Sequence, residues 1–367
     1  MQLVHLAVKS LTVALPASKV KRLAKLADVV SVTPNRPTKS AASTVETITG
    51  ATATGVRPYS DATTYSGFDG TGVGIAILDS GVMKAHKSFN NASSVTRVKR
   101  SVSMLKADTA DWSNPWVGGL ASLKPGSGAL STYETSIAAD SDLTQDGYGH
   151  GTHVASVAAG RGFYQSPDST GIAPGANIYD VRVLNSLGIG TISDALEGIN
   201  WVMYHAREFN IRVMNLSLAA SSNESWDTDP LCNAVQAATA MGITVVVAGG
   251  NFGLNLQGKK VYGSISSPAH SPAVITVGAL NYMGTNGRSD DVVTNFSSRG
   301  PTRAYVDMGT YKWYDDIIKP DLVAPGNKII GANATAASST TPTKNTLATL
   351  FPSLVTAAGG PTTYARG

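Results

Sequence analysis

Val73-Gly74-Ile75-Ala76-Ile77-Leu78-Asp79-Ser80-Gly81 is the stretch that decides the fold. Six residues without a polar side chain run straight into an aspartate and a Ser-Gly turn. A continuous apolar run closed by turn residues signals a strand buried on both faces, and such strands belong to parallel sheets. Residues 243–248 and 274–277 read almost the same way, each broken only by a threonine. Residues 178–184 and 211–218 are also strand-like, but polar residues interrupt them, so one face is expected to be partly wet. Helical patterns lie between. In residues 191–206, Thr191 and Asp194 form a capping box, and Ala195, Leu196, Ile199, Val202 and Met203 share one face. Residues 231–241 make another helix, stopped by Gly242. Strand–helix alternation predicts a doubly wound α/β fold, a mostly parallel sheet with helices on both faces. In such sheets the active site lies beyond the carboxyl ends of the strands.

The length, 367 residues, suits one large α/β domain with a small appendage. Gly is frequent (37) and charged residues are few (15%), a composition of compact, loop-rich secreted enzymes. The net charge of +4 is too small to argue for nucleic acid. Its distribution is uneven: residues 1–39 hold seven Lys/Arg against one acid, Asp28, while the rest is nearly neutral. A basic segment ahead of a neutral body points to a separate module. No apolar run approaches the ~18–20 residues of a membrane span. The single cysteine, Cys232, lies in an Ala-rich stretch and reads as a small buried residue rather than a reactive thiol.

Ahead of the main pattern, residues 2–34 read as strand, helix, strand. A strand at 11–15 is ended by Pro16, Ser18 caps a helix carrying Val20, Leu23, Leu26 and Ala27, and a strand at 29–32 is ended by Pro34. Residues 38–54 are polar and aperiodic, a linker. Residues 334–348, rich in Ala, Ser and Thr, read as a surface loop.

Four segments fall at strand ends or helix starts: Asp79 after the first core strand, His150 opening a small-residue helix, Ser217-Leu218-Ala219 ending a strand, and Ala248-Gly249-Gly250-Asn251 ending another. Taken singly, each has an ordinary explanation. An aspartate after a strand is more often a cap or turn former, and Gly-Gly-Asn is a turn. His150-x-x-His153 matches a metal pair, but no Glu adjoins it in the metalloprotease pattern and no Cys/His cluster follows in the sequence. Gly70-Thr71-Gly72-Val73-Gly74 resembles a dinucleotide loop but precedes its strand, so the phosphate geometry fails. Together the four fit acyl transfer. A His base needs a carboxylate to fix its tautomer, and an amide at a Gly-lined strand end can donate to an oxyanion.

In order and wording these segments resemble the subtilisin-like serine proteases. Asp79-Ser80-Gly81 resembles that family's Asp motif. His150-Gly151-Thr152-His153-Val154-Ala155 resembles its His motif, with Ser156 where the family has Gly. Asn251 matches its oxyanion Asn. Lys319-Pro320-Asp321 with Val323-Ala324-Pro325-Gly326, and Asn295-Phe296-Ser297-Ser298-Arg299-Gly300-Pro301, are similar to segments that precede its nucleophile. The resemblance covers residues of about 60–335.

It implies a secreted serine endopeptidase acting on proteins or peptides as a monomer. Asp79, His150 and Asn251 would be catalytic. Substrate would pair between Gly188-Ile189-Gly190 and Ser217-Leu218-Ala219, beside Ala248, Gly249 and Gly250. The family has Gly where Ala219 stands, which leaves side-chain preference open. No cofactor is expected for the chemistry. Structural calcium is implied by the family, at no site that ligand spacing marks. Residues 1–39 resemble part of the family's inhibitory propeptide, docking through its β face, with 40–60 as linker and 61–367 as the peptidase domain. The chain is expected to begin after its signal sequence. The family's Gly-Thr-Ser-Met-Ala nucleophile motif is absent, so the serine is expected just beyond Gly367 and the 367-residue chain is expected to be inactive. Ser338 and Ser339 are poor substitutes, with no helix after them. Ser267-Pro268 is expected to be cis. Two alternatives stand beside this: a non-catalytic peptide-binding pseudoprotease, and the acid-acting sedolisins, whose Glu base and oxyanion Asp are not matched by His150 and Asn251.

Overall fold

A computed structural model describes residues 3–5, 10–12, 16–29, 43–58, 65–106, 123–162, 168–336, 343–355 and 364–366. The chain divides into two units, Met1–Ala41 and Ala42–Gly367. In the first, β1 (Leu3–His5) pairs antiparallel with β2 (Ser10–Thr12), and α1 (Ala17–Leu23) follows. Pro16, not Ser18, holds the N-cap position, with no side-chain cap. Residues 3–5 form a strand that no pattern announced. The strand expected at 29–32 lies, but for residue 29, outside the described residues.

The second unit opens with a correction. Residues 43–58 are not linker. Ser43 and Glu46 form a reciprocal capping box on α2 (Thr44–Thr49), and the Ser43 hydroxyl donates to the Thr170 carbonyl at 2.6 Å. Glu46 then makes an ion pair with Arg57, both side chains fully buried. The Ser-x-x-Glu spacing was the available signal. A polar composition hid it.

The main sheet has eight strands: β3 (Gly74–Asp79), β4 (Val98–Ser103), β5 (Asn177–Arg182), β6 (Ile211–Leu216), β7 (Thr244–Ala248), β8 (Ile275–Asn281), β9 (Val292–Val293) and β12 (Leu322–Pro325). The order is β12-β8-β7-β6-β3-β5-β4, parallel throughout, with β9 antiparallel on β8. The hairpin β10 (Tyr305–Asp307) and β11 (Lys312–Tyr314) stands apart from it. β3 is buried along its whole length because its residues alternate between two cores. Ala76 and Leu78 join Val181, Ile199, Trp201 and Val247. Ile75 and Ile77 join Phe89, Ala155, Ala159 and Ile178. The helices α3 (Gly128–Ile137), α5 (Ile192–His205) and α6 (Pro230–Ala240) serve the first core, and α4 (His150–Ala159) the second. The Thr191–Asp194 capping box starts α5 as expected.

Three expectations need adjustment. β7 and β8 are not buried on both faces: Val245, Val247 and Thr276 are buried, while Ile275 is 39% exposed and Leu322 of β12 is 48% exposed on the opposite face. In β5 Asp180 is not wet but wholly buried, while Asn177 and Arg182 at the strand ends are half-buried. Residues 334–348 are not simply a loop. β14 (Thr335–Ala336) pairs with β15 (Thr343–Lys344), and buried Asn345 caps α7 (Thr346–Leu350). Ser338 and Ser339 lie outside the described residues. The strand β13 (Ile330–Ala332) pairs with β16 (Tyr364–Arg366). Ser267-Pro268 is cis, as expected, and so are Gly300-Pro301 and Lys319-Pro320.

Two stability tests follow from buried charge. Removing one partner of a buried ion pair strands the other, at a cost of about 3–5 kcal/mol, so Glu46→Ala should lower the denaturation midpoint by that equivalent in urea titrations. His205 receives Glu208 at Nδ1 (2.8 Å) and Glu134 at Nε2 (2.9 Å) and stacks on Phe209. Burial opposes its charge, but the two carboxylates outweigh burial and raise its pKa. A raised folded pKa stabilises fully below the ordinary His value and fades as pH rises through the raised one. His205→Gln should therefore lower the melting temperature more at pH 6 than at pH 9.

Candidate active site

Parallel register brings the strand ends to one level. Leu78 lies beside both Val181 and Leu216, and Leu216 beside Val247. Asp79, Ser217 and Ala248 therefore emerge together at the carboxyl edge, around the point where the order reverses about β3. The His150 ring reaches Asp79 from the first turn of α4: Nδ1 lies 2.8 Å from Oδ1 and 2.9 Å from Oδ2. Asp79 is fully buried, while the His150 side chain is 37% exposed and turns toward a cleft. Among the described residues Nε2 has no hydrogen-bond partner.

Helix α4 can come this close because residue 151 is glycine. A Cβ there would stand 2.2 Å from the Gly81 carbonyl and 3.1 Å from the Asp79 Cβ. Asp146, which the motif reading passed over, fixes the turn. It is buried and accepts from Gly149 N–H (2.7 Å), Thr152 N–H (2.8 Å) and the Ser80 hydroxyl (2.8 Å). Ser80 in turn accepts from Gly151 N–H at 3.0 Å and donates its own N–H to Asp79 at 2.7 Å. An acid four residues before the motif His was the available signal. Ser156, the departure from the family string, is used: its hydroxyl donates to the His153 carbonyl (2.8 Å) and accepts from Ala332 N–H (2.7 Å), joining α4 to β13.

The cleft holds about 490 Å³ and is lined by His150 and Asn251 together with Gly188, Ile189, Gly190, Ser217, Leu218, Ala219, Ala248 and Gly250. Tyr148, Leu231 and Phe252, which no motif marked, line it too. Gly249 does not: it is buried and donates to the Val277 carbonyl at 2.8 Å. Ser217-Leu218-Ala219 lies past the end of β6 rather than within it. On the facing side, Ile189 spends its N–H on the Asn185 side chain and its carbonyl on Asn185 N–H. Ile189 cannot also pair both groups with a substrate while that turn is closed. Asn251 is exposed on a turn that Gly250 makes at φ +107, where a Cβ would meet Ser298 Oγ at 2.8 Å. Ser298 N–H donates to the Gly250 carbonyl and its hydroxyl accepts from Phe252 N–H.

A profile of the subtilase family matches residues 70–351. This chain belongs to the subtilase family. Serine protease AprX of Bacillus subtilis (strain 168) is 40% identical over 190 residues, 50% of this chain and 39% of that protein. Subtilisin Savinase of Lederbergia lenta is 39% identical over 138 residues, 38% of this chain and 45% of its own length. The matches thus span less than half of these curated relatives. The solved S41 psychrophilic protease superposes with a TM-score of 0.51 at 26% identity, covering 80% of this chain and 76% of its own.

Calcium needs six to eight oxygen ligands. Among the described residues, the one group of three or more metal-ligating side chains is Asp229, Cys232 and His270. Its sulfur and nitrogen do not suit calcium. Cys232 and His270 lie 38 positions apart and meet only in the fold. His150 and His153 do not converge: the His153 Nε2 lies 3.2 Å from the Ile329 carbonyl.

For His150, burial opposes the charged ring, but the Asp79 charge and hydrogen bond, with Asp146 behind, outweigh it and hold the pKa at about 8. The pairing therefore stabilises fully below the ordinary His pKa and is lost as pH rises through about 8. Imidazole NMR should place the His150 midpoint at about 8, above that of an ordinary His, and Asp79→Asn should lower it, since burial is then opposed by Asp146 alone. An unchanged midpoint in that variant would count against the pairing.

Proposed function

We propose that the chain is part of a secreted, monomeric serine endopeptidase that hydrolyses protein or peptide substrates. The Asp79–His150 contact at 2.8 Å, with Nε2 open to the cleft, carries this reading. His150 takes the proton from an attacking serine hydroxyl and returns it to the leaving amine. Asp79 fixes the tautomer with the proton on Nδ1 and stabilises the imidazolium. Asn251, across the same cleft, donates its amide to the oxyanion of the tetrahedral intermediate. A substrate strand lies between residues 188–190 and 217–219. The reaction uses protein groups alone.

We assign the nucleophile to a serine C-terminal to Gly367. The half-exposed Ile275 and Leu322 support this, as the sheet face a helix following that serine would cover. Residues 1–39 are assigned to the propeptide, with their basic charge and β-hairpin followed by a helix.

The test compares the 367-residue chain with the same chain extended through its gene, using casein hydrolysis and a fluorophosphonate probe. The extended chain should be labelled at one serine beyond residue 367, and the shorter chain should be neither labelled nor active. Asn251→Ala in the extended enzyme should lose about 10²–10³ in kcat, as the equivalent loss does in a subtilisin, with KM little changed. Labelling of the shorter chain would move the nucleophile to a serine within it. An inert extended chain would favour a peptide-binding role.

A further inference from the structure

Behind the cleft wall, three metal-ligating side chains converge that peptide hydrolysis does not use. Asp229 caps α6 and Cys232 follows one turn later, so the helix start presents both on one side. His270 comes from the loop after the cis Ser267-Pro268 bond. All three are buried, at 3%, 0% and 1% exposure. Their ligand atoms lie within 4.8 Å of one another, and Cys232 Sγ is 3.4 Å from His270 Nε2. Zinc binds thiolate at about 2.3 Å and imidazole at about 2.0–2.1 Å, so two such ligands at a tetrahedral angle stand ~3.6 Å apart. The observed Sγ–Nε2 spacing is close to that, but Sγ also lies 3.9 Å from Nδ1, so the imidazole must turn to aim its Nε2 lone pair at the ion. The Pro268 carbonyl, which accepts from Ser271 N–H, lies 3.8 Å from Sγ.

We propose that Asp229, Cys232 and His270 form a binding site for a thiophilic divalent ion of the zinc class. Thiolate with imidazole selects such an ion over calcium or magnesium, which take oxygen ligands. Asp229 Oδ1 already accepts from Leu231 N–H, Cys232 N–H and the Ser267 hydroxyl, so the ion takes Oδ2. Binding forms the S–metal bond and releases the thiol proton to solvent, so affinity rises with pH. The bound ion ties the start of α6 to the loop at 267–270. Ser267 of that loop pairs with Ala220 of the cleft wall.

Cys232 is the only cysteine in the chain, so a thiolate-to-metal charge-transfer band reports this site alone. Titrating the 367-residue chain with Co²⁺ and with Cd²⁺, each incubated until the signal is constant, should give that band with a one-to-one endpoint. Zn²⁺ should displace Co²⁺, and the melting temperature should rise with metal concentration. Cys232→Ser should abolish the band. His270→Gln should weaken binding at least about tenfold. Asp229→Asn keeps the Oδ1 cap acceptor and should also weaken binding, separating loss of a ligand from loss of the helix cap. Circular dichroism establishes that each variant is folded. Absence of the band in folded wild-type chain overturns the site. So does equal affinity in wild type, His270→Gln and Asp229→Asn, which would reveal a lone thiol without a chelate.

Discussion

The Asp79 carboxylate has no exposed surface, and a charge in that position is tolerable only if its lone pairs are occupied. Ser80 N–H and the His150 ring occupy them. The local architecture follows from that requirement. Helix α4 must begin against the strand end, so residue 151 must be glycine. The helix start must be anchored, so Asp146 takes the Gly149 and Thr152 amides. The positive end of the helix then faces the acids that anchor it, which lowers the cost of burying them. Ser80 couples the two carboxylates by bonding to Asp146 and Gly151 while its N–H serves Asp79.

The sheet supplies what side-chain bonding cannot. Asp79 and Asn251 are 172 positions apart in the chain, yet β3, β6 and β7 end at one level because their parallel registers are locked by alternating burial. A one-residue slip in β3 would exchange Ile75 and Ile77 for Ala76 and Leu78 between two unlike cores. The cleft therefore inherits its placement from packing, and the loops 185–190 and 249–252 add the side chains and backbone that line it.

Legibility tracked the range of the forces. The run of β3, buried on both faces, the capped α5 and the stop at Gly242 are local, and the sequence carries them openly. So are Asp79, His150 and Asn251, whose strings are distinctive. The α2 capping box was equally local but sat in polar sequence, where composition outweighed a four-residue signal. The burial of Asp180 was not legible, because its partner Gln145 lies 35 residues away and reaches it only once β4 and β5 are paired. The meeting of Cys232 and His270, 38 residues apart, has the same cause. Gly249 was misplaced by proximity: it neighbours cleft residues in sequence, but the strand's last turn points it into the sheet.

Three acids stand close beneath the His-bearing turn, and their environments separate them. Burial pushes Asp180 well up and Asp146 up as well, the latter partly restrained by its hydrogen bonds. Like charges in a dry region disfavour one another, and each proton retained reduces the repulsion. Of the acids acting on His150, Asp79 acts most strongly and Asp146 less. The division of labour follows from contact: Asp79 touches the ring and sets its tautomer, whereas Asp146 touches the backbone that carries the ring and the Ser80 hydroxyl. A change at Asp79 alters the proton affinity of the ring directly. A change at Asp146 reaches the ring mainly by letting the helix start move.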